Sequence, residues 1–73
     1  MKPTIDSQIG ERIERYRKAA SLSRQDVADA CDMPLDHYTA GEAGERTFSA
    51  VELLAIGQKV GFRLSDILSK MRL

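Results

Sequence analysis

Residues 23–42 read SRQDVADACDMPLDHYTAGE and predict two short helices joined by a tight turn. Ser23 is followed three residues later by an acid, which is the pattern of a capping box and predicts a helix over residues 24–31. Pro34 disfavours helical geometry at the residue before it but suits the first turn of a new helix. A second helix is therefore predicted over residues 35–42.

The three-residue connection between these helices is the spacing of a helix-turn-helix. A short turn sets a steep crossing angle, so the second helix would project from the body of the domain and fit a DNA major groove, which is about 12 Å wide. Many small helical bundles also contain short turns, and the spacing alone leaves a generic bundle open.

Apolar stripes at helical spacing predict further helices at both ends of the chain. The first helix is expected over residues 7–20, with Asp6 or Ser7 as its N-cap, and the last begins within residues 63–65. The two stripes consist of Ile9, Ile13, Tyr16 and Ala20, and of Ile67, Leu68 and Met71.

The sequence between the helix predicted over residues 35–42 and the last helix predicts a loop and one more helix. Residues 44–48 read as the loop, and Ser49 opens a second capping box before a helix over residues 50–59. Gly61 stands where a left-handed residue commonly ends a helix. No strand-like alternation competes with these helices, so the predicted class is all-α, with five short helices.

Composition indicates one globular domain spanning residues 1–73, because the chain is 42% hydrophobic and 30% charged. Cys31 and His37 are the only residues of their kinds, so we expect no disulfide, metal or other cofactor. No nucleophile–base pair, paired carboxylates or phosphate-binding glycine loop suggests an enzyme. No apolar run is long enough for a signal peptide or membrane span, which predicts a cytoplasmic protein.

Charge is distributed unevenly although the net charge is zero. Residues 1–24 carry six basic and three acidic side chains, and residues 46–73 carry five basic and two acidic ones. Residues 25–45 contain no lysine or arginine but six acids: Asp26, Asp29, Asp32, Asp36, Glu42 and Glu45. An acidic segment weakens attraction to DNA phosphates and suits a basic protein surface.

A wider pattern accompanies the predicted helix-turn-helix and covers about residues 8–69. It consists of Ile9-Gly-Glu-Arg-Ile13, Arg17-Lys18, Leu22-Ser23, Val27-Ala28, Glu42-x-Gly44, Arg46, Ser49-Ala50, Leu53, Ile56 and Leu64-x-x-Ile67-Leu68. This pattern resembles the lambda repressor and Cro-like (XRE) family of helix-turn-helix regulators. The resemblance implies a compact five-helix, lambda-repressor-like domain that binds double-stranded DNA in a bacterial or phage cytoplasm, with the nucleoid.

The resemblance also implies roles for individual residues. Arg17 and Glu42 would form a buried structural ion pair, in which loss of one partner is costly. Arg24 and Gln25 would contact phosphate at the start of the second helix. The residues expected to face bases or, in the loop, the DNA backbone are Leu35, Asp36, His37, Thr39 and Ala40, and Arg46 and Thr47.

Three of these base-facing roles follow from side-chain chemistry. Asp36 could accept a hydrogen bond from cytosine N4, His37 could donate to guanine or phosphate, and Leu35 could touch a thymine methyl. The alternatives are that Asp36 complements a helix dipole and that His37 is a solvated surface side chain. Arg24, Arg46 and the basic residues of the first helix would flank the groove.

The sequence departs from the family pattern at three positions. Gly41 stands where a large apolar residue is usual, so the helix over residues 35–42 is expected to fray early and Tyr38 to fill the gap. Ser21 replaces a usual helix-ending glycine, and Cys31 replaces a usual leucine as a small core residue.

Two functions remain open on the sequence. The first is a DNA-binding transcriptional regulator, a homodimer that reads a near-palindromic operator. The second is a protein-interaction module that uses the acidic segment to bind another regulator or a toxin. The expected dimer interface consists of Phe62, Ile67, Leu68, Met71 and Leu73. An alternative is that Leu64, Ile67 and Leu68 cover the monomer core, which leaves Met71 and Leu73 as the interface.

Overall fold

Five helices follow one another in the computed structural model, which describes residues 4–71. They are α1 (Ile5–Ala19), α2 (Arg24–Ala30), α3 (Leu35–Glu42), α4 (Ala50–Val60) and α5 (Leu64–Leu68). No strand occurs within the described residues, and the predicted all-α class with five short helices is confirmed.

Side-chain caps fix where the helices begin. Ser23 and Ser49 open α2 and α4 with the capping boxes that the sequence predicts. The predicted start of α1 is wrong, because the hydroxyl of Thr4 accepts a hydrogen bond from the backbone amide of Ser7 at 3.0 Å. Helix α1 therefore begins two residues early, and Asp6 lies in its first turn, where a negative charge is favourable.

Left-handed residues end the first three helices. Ser21, Asp32 and Gly44 have φ values of 58°, 55° and 80°. In each case the amide of the following residue reaches back to a carbonyl in the last helical turn, at 2.9–3.1 Å. This is the Schellman arrangement, which satisfies carbonyls that the helix leaves unpaired. Ser21 thus adopts the conformation for which glycine is usual, and Gly61 does the same after α4.

The core lies where the five helices meet. The residues with no or almost no solvent exposure are Ile13, Val27, Ala28, Tyr38, Ile56 and Ile67. Cys31 is half-buried and packs against this cluster as a small apolar side chain. Tyr16 of α1 packs on Phe62, with ring centroids 5.4 Å apart, and so connects the first helix to the segment that follows α4.

Two glycines allow α3 to pack closely on its neighbours. A Cβ atom on Gly10 would lie 2.0 Å from the carbonyl oxygen of Glu42, so α1 and α3 approach at backbone distance. A Cβ atom on Gly41 would lie 2.2 Å from Cζ of Phe48. The expectation that Tyr38 fills the gap at Gly41 is therefore wrong, because the Phe48 ring occupies it. Helix α3 runs its full predicted length to Glu42 and does not fray early.

Candidate nucleic-acid interface

Helices α2 and α3 pack against each other through a short apolar contact. Val27 and Ala28 of α2, Met33 of the turn and Tyr38 of α3 are all buried. The amide of Met33 donates to the carbonyl of Ala28 at 2.9 Å, which holds the turn against the end of α2. These contacts fix the direction in which α3 leaves the turn.

Helix α3 has one buried face and one outward face. Tyr38, Gly41 and Glu42 point into the domain. The outward face consists of Leu35, Asp36, Thr39 and Ala40, of which Leu35 is 41% exposed, Asp36 is exposed and the last two are half-buried. Four of the five residues expected to face bases thus share one surface, at the spacing expected for one face of a helix.

His37 lies beside this outward face and turns toward α4. Its Nε2 atom is 3.0 Å from Oε2 of Glu52. Glu52 is already held by its capping box, since its Oε1 accepts from the Ser49 amide at 2.8 Å. That hydrogen bond, with a smaller contribution from His37, outweighs the opposing effect of burial and holds the pKa of Glu52 below its ordinary value. The imidazole is therefore engaged within the domain, which neither of the roles considered for His37 from sequence had included.

Glu42 ends α3 at the centre of a buried polar cluster. Arg17 of α1 donates to it twice, from Nε to Oε2 at 2.9 Å and from Nη2 to Oε1 at 3.0 Å. The Tyr38 hydroxyl also donates to Oε2, and Arg24 Nε donates to Oε1 at 3.0 Å. The structure thus brings Arg17 and Glu42 together and adds two donors. Because α1, α2 and α3 all contribute, the carboxylate ties the helix-turn-helix to the first helix.

The charges of this cluster follow from its hydrogen bonds. Burial by itself raises the pKa of Glu42, but hydrogen bonds from Arg17, Tyr38 and Arg24 outweigh it and hold the pKa below its ordinary value. The hydrogen bond to Glu42 raises the pKa of Arg17. Burial, and then the hydrogen bond to Glu42, raises the pKa of Tyr38 far above its usual range. In this cluster two guanidinium groups share the one buried carboxylate of Glu42.

Arg24 and Gln25 lie at the start of α2, as expected, and both have partners. The Arg24 side chain is 48% exposed, and its Nη2 atom lies 3.6 Å from Oε2 of Glu14 on α1. The Gln25 amide donates to Asp29 at 2.7 Å. Arg24 therefore presents a partly solvated guanidinium at a fixed place.

The loop residues Arg46 and Thr47 are held by α4 and α1. Arg46 Nη1 lies 3.6 Å from Oε1 of Glu52, and its guanidinium lies 6.0 Å from the centre of the Phe48 ring. The Thr47 hydroxyl donates to Oδ2 of Asp6 at 2.7 Å. The loop is thus fixed to the body of the domain at both residues expected to contact the DNA backbone.

Two basic residues of α1 are not available to flank a groove. Arg17 is buried against Glu42. Arg12 donates to the backbone carbonyls of Ile67, Ser69 and Lys70 at the end of α5. The expectation that the basic residues of the first helix flank the groove is therefore wrong for Arg12 and Arg17.

The negative charge of residues 25–45 is smaller at the surface than the sequence indicates. Glu42 is buried and balanced by two arginines. Asp26 caps its own helix, and the backbone hydrogen bond from Ser23 holds its pKa below the ordinary value. The exposed acids are Asp26, Asp29, Asp32, Asp36 and Glu45, so only Glu42 is withdrawn from the surface.

The expected dimer interface is only partly at the surface. Phe62 and Ile67 are buried in the core of the single chain, so the interface predicted for them is wrong. Leu68 is 43% exposed, and Met71 is half-buried against the core. Leu73, like Lys2, lies outside the described residues. An amphipathic helix buries its apolar stripe, and here the chain itself supplies the partner surface.

Sequence reasoning missed Glu14, Glu52 and Phe48, which hold the candidate contact residues. Glu14 pairs with Lys18 at 3.4 Å, an (i, i+4) spacing that could have been noticed, but its contact with Arg24 joins two different helices. Glu52 was recognised only as a cap. Neither the Glu52 contact with His37 nor the position of Phe48 over Gly41 has a local sequence signal.

Other kinds of site find little support in residues 4–71. No group of three His, Cys, Asp or Glu side chains there is placed to hold a metal ion. None of the helices in this part of the chain is both long and apolar enough to cross a membrane.

Comparisons with known proteins identify the fold. The sequence matches no family model and no curated protein. The structure is similar to the crystal structure of the clp gene regulator ClgR from Corynebacterium glutamicum, with a TM-score of 0.87 and 18% sequence identity. The match covers 93% of this chain and 72% of that chain. At this identity the likeness establishes a shared fold, which therefore extends over nearly all of the present domain.

Proposed function

We propose that this protein is a sequence-specific DNA-binding transcriptional regulator of the lambda repressor and Cro-like type. The observation that carries the proposal is the outward face of α3 in a helix-turn-helix, which leaves Leu35, Asp36 and Thr39 accessible to base edges. The shared fold with a protein described as a gene regulator supports the same conclusion. The proposed role is one of binding, with no enzymatic activity.

Arginines at two places would position α3 on the DNA backbone. Arg24 stands at the start of α2 with its guanidinium half-exposed, and Arg46 stands in the loop before α4. Phosphate contacts of this kind set register and orientation, whereas base contacts set specificity. Leu35 would then contact a thymine methyl, and Asp36 would accept from a cytosine amino group.

A homodimer is the assembly that we propose for operator binding. Two copies related by a two-fold axis place their recognition helices about 34 Å apart, in successive major grooves of a near-palindromic site. Leu68 and Met71 are the members of the expected interface that remain at least partly exposed. Truncation after Lys70 tests the contribution of the end of the chain. If light scattering gives an unchanged dimer mass, Met71 and Leu73 are not needed for the interface.

A protein-interaction module is the second candidate function. The observation that favours it is the exposure of Asp29, Asp32, Asp36 and Glu45 in a segment without lysine or arginine. Such a surface repels phosphate and attracts a basic partner such as another regulator or a toxin.

Selection of DNA sites from a random duplex library tests the first function against the second. The wild-type protein should enrich one motif with approximate two-fold symmetry. A triple alanine variant at Leu35, Asp36 and Thr39 should lose the motif but keep weak binding to all sequences, since the phosphate contacts remain. Gln58→Ala, at an exposed position on α4, is the control and should enrich the wild-type motif. Failure of the wild-type protein to enrich any motif would favour the interaction module.

A further inference from the structure

Arg24 faces two carboxylates that differ in how firmly they are held. Its Nε donates to Oε1 of Glu42 at 3.0 Å, and its Nη2 lies 3.6 Å from Oε2 of Glu14. Glu42 is buried and also accepts from Arg17 and Tyr38, so it is fixed. The contact between Arg24 and Glu42 is therefore part of the fold, whereas the contact between Arg24 and Glu14 is longer.

Glu14 is free to release Arg24. Its side chain is 37% exposed, and it also lies 3.4 Å from the ammonium group of Lys18 one turn along α1. The 3.6 Å separation from Arg24 is longer than a charge-assisted hydrogen bond. Exposed pairs with such geometry contribute little to stability, so the separation of Glu14 from Arg24 is inexpensive.

We infer that Glu14 competes with DNA phosphate for the guanidinium of Arg24 and thereby attenuates backbone binding. The inference rests on the proposed function, since it assigns a tuning residue to the same interface. In the free protein Glu14 holds Nη2. On DNA a phosphate oxygen takes its place, while Glu42 keeps Nε and so preserves the position of the side chain. A guanidinium has enough N–H donors, in a planar fork, for both partners at once.

Arg24 is well placed for such control because few basic residues lie near α3. No lysine or arginine occurs between Arg24 and Arg46, so these two are the nearest basic residues in sequence on either side of the recognition helix. Glu14 supplies the opposing charge for one of them. Weaker attraction to phosphate lowers non-specific binding, and discrimination then depends more on base contacts.

Fluorescence anisotropy with a labelled mixed-sequence duplex at about 50 mM salt tests the inference, since non-specific binding at low salt needs no operator. Glu14→Gln should bind more tightly than the wild type. Glu11→Gln, at an exposed acid three residues earlier on α1, is the control for general loss of negative charge. Glu14→Gln should exceed this control by about two- to fivefold, the range expected for an exposed ion pair.

The same two substitutions are then made in an Arg24→Gln background, where a donor to Glu42 remains. The excess of Glu14→Gln over Glu11→Gln should vanish there, and thermal melting verifies that each variant is folded. An equal effect of the two substitutions with Arg24 present, or an excess that persists without it, would overturn the inference while leaving DNA binding intact. Absence of binding by every protein, including the wild type, would instead overturn the proposed function.

Discussion

Substitution of Gly41 by alanine should destabilise the domain, although alanine is the better helix former. The new Cβ atom would lie 2.2 Å from Cζ of Phe48. Carbon atoms in contact prefer about 3.5–4.0 Å, so the ring must move by more than about 1 Å. The ring is buried and packs on Tyr38 with centroids 5.8 Å apart, which leaves it little room to move.

The expected loss is the difference between two effects. Overpacking costs about 1–3 kcal/mol, and an overlap as severe as 2.2 Å places the cost at about 2–3 kcal/mol, whereas replacement of glycine within a helix returns about 1 kcal/mol. A net loss of about 1–2 kcal/mol is a large share of the roughly 3–5 kcal/mol that a domain of this size usually holds. It corresponds to a fall in Tm of about 4–16 °C.

Thermal and urea unfolding followed by circular dichroism measure this loss. A double-mutant cycle with Phe48→Leu provides the control, because the smaller side chain vacates the space that the added methyl group needs. The double variant should be about 1 kcal/mol more stable than the sum of the single effects predicts. A Gly41→Ala protein that melts at or above the wild-type temperature would refute the packing of Phe48 against Gly41.

Three further perturbations test the fold. Ser21→Gly should raise Tm by about 4–8 °C by relief of left-handed strain of about 1 kcal/mol, whereas Ala20→Gly, at a right-handed position, should not raise it. Because the fold holds the pKa of Glu42 below its ordinary value of 4.5, the ionised carboxylate stabilises the protein at pH values above 4.5. This stabilisation is lost as the pH falls through the pKa of the folded state, so the free energy of unfolding should drop in acid. Carboxyl NMR should show Glu42 titrating below 4.5, and a normal titration would contradict the buried cluster. Arg12→Ala should free the end of α5 and therefore speed hydrogen exchange at the Ile67 amide more than at the amides of α2. Equal protection of the Ile67 amide in the wild type and the variant would contradict this.

Local sequence signals predicted most of the helix positions. Capping boxes at Ser23 and Ser49, Pro34 before α3 and Gly61 after α4 each act within a few residues, and the structure places each of them at a helix end. The start of α1 was misjudged because Asp6 and Ser7 are also suitable N-cap residues, and the choice of Thr4 depends on backbone geometry. Signals of short range therefore sufficed for the fold class but not for every boundary.

Contacts between distant residues limited prediction of the candidate site. The family resemblance implied that Leu35, Asp36 and Thr39 face outward from α3, and their helical spacing agrees with one shared face. The sequence could not show that Phe48 lies over Gly41, because such packing depends on how the loop returns to the core.

The burial of Ile67 illustrates a second limit of the same kind. An apolar stripe reveals that a helix needs a partner surface, but not whether the same chain or another copy supplies it. Likewise, the number of acids in residues 25–45 overstated the surface charge, since the neutralisation of Glu42 requires arginines from two other helices.

The salt dependence of DNA binding tests most directly the proposal that Arg24 and Arg46 place α3 on DNA. Anisotropy with the duplex enriched by selection and a scrambled duplex, at about 50 and 200 mM salt, compares the wild type with the Arg24→Ala/Arg46→Ala variant. The wild type should bind the selected duplex in preference to the scrambled one. In the variant, binding should weaken on both duplexes, with a salt slope smaller by about 1.8 per protomer. Equal slopes for the two proteins, or no binding by the wild type at the lower salt, would contradict this proposal.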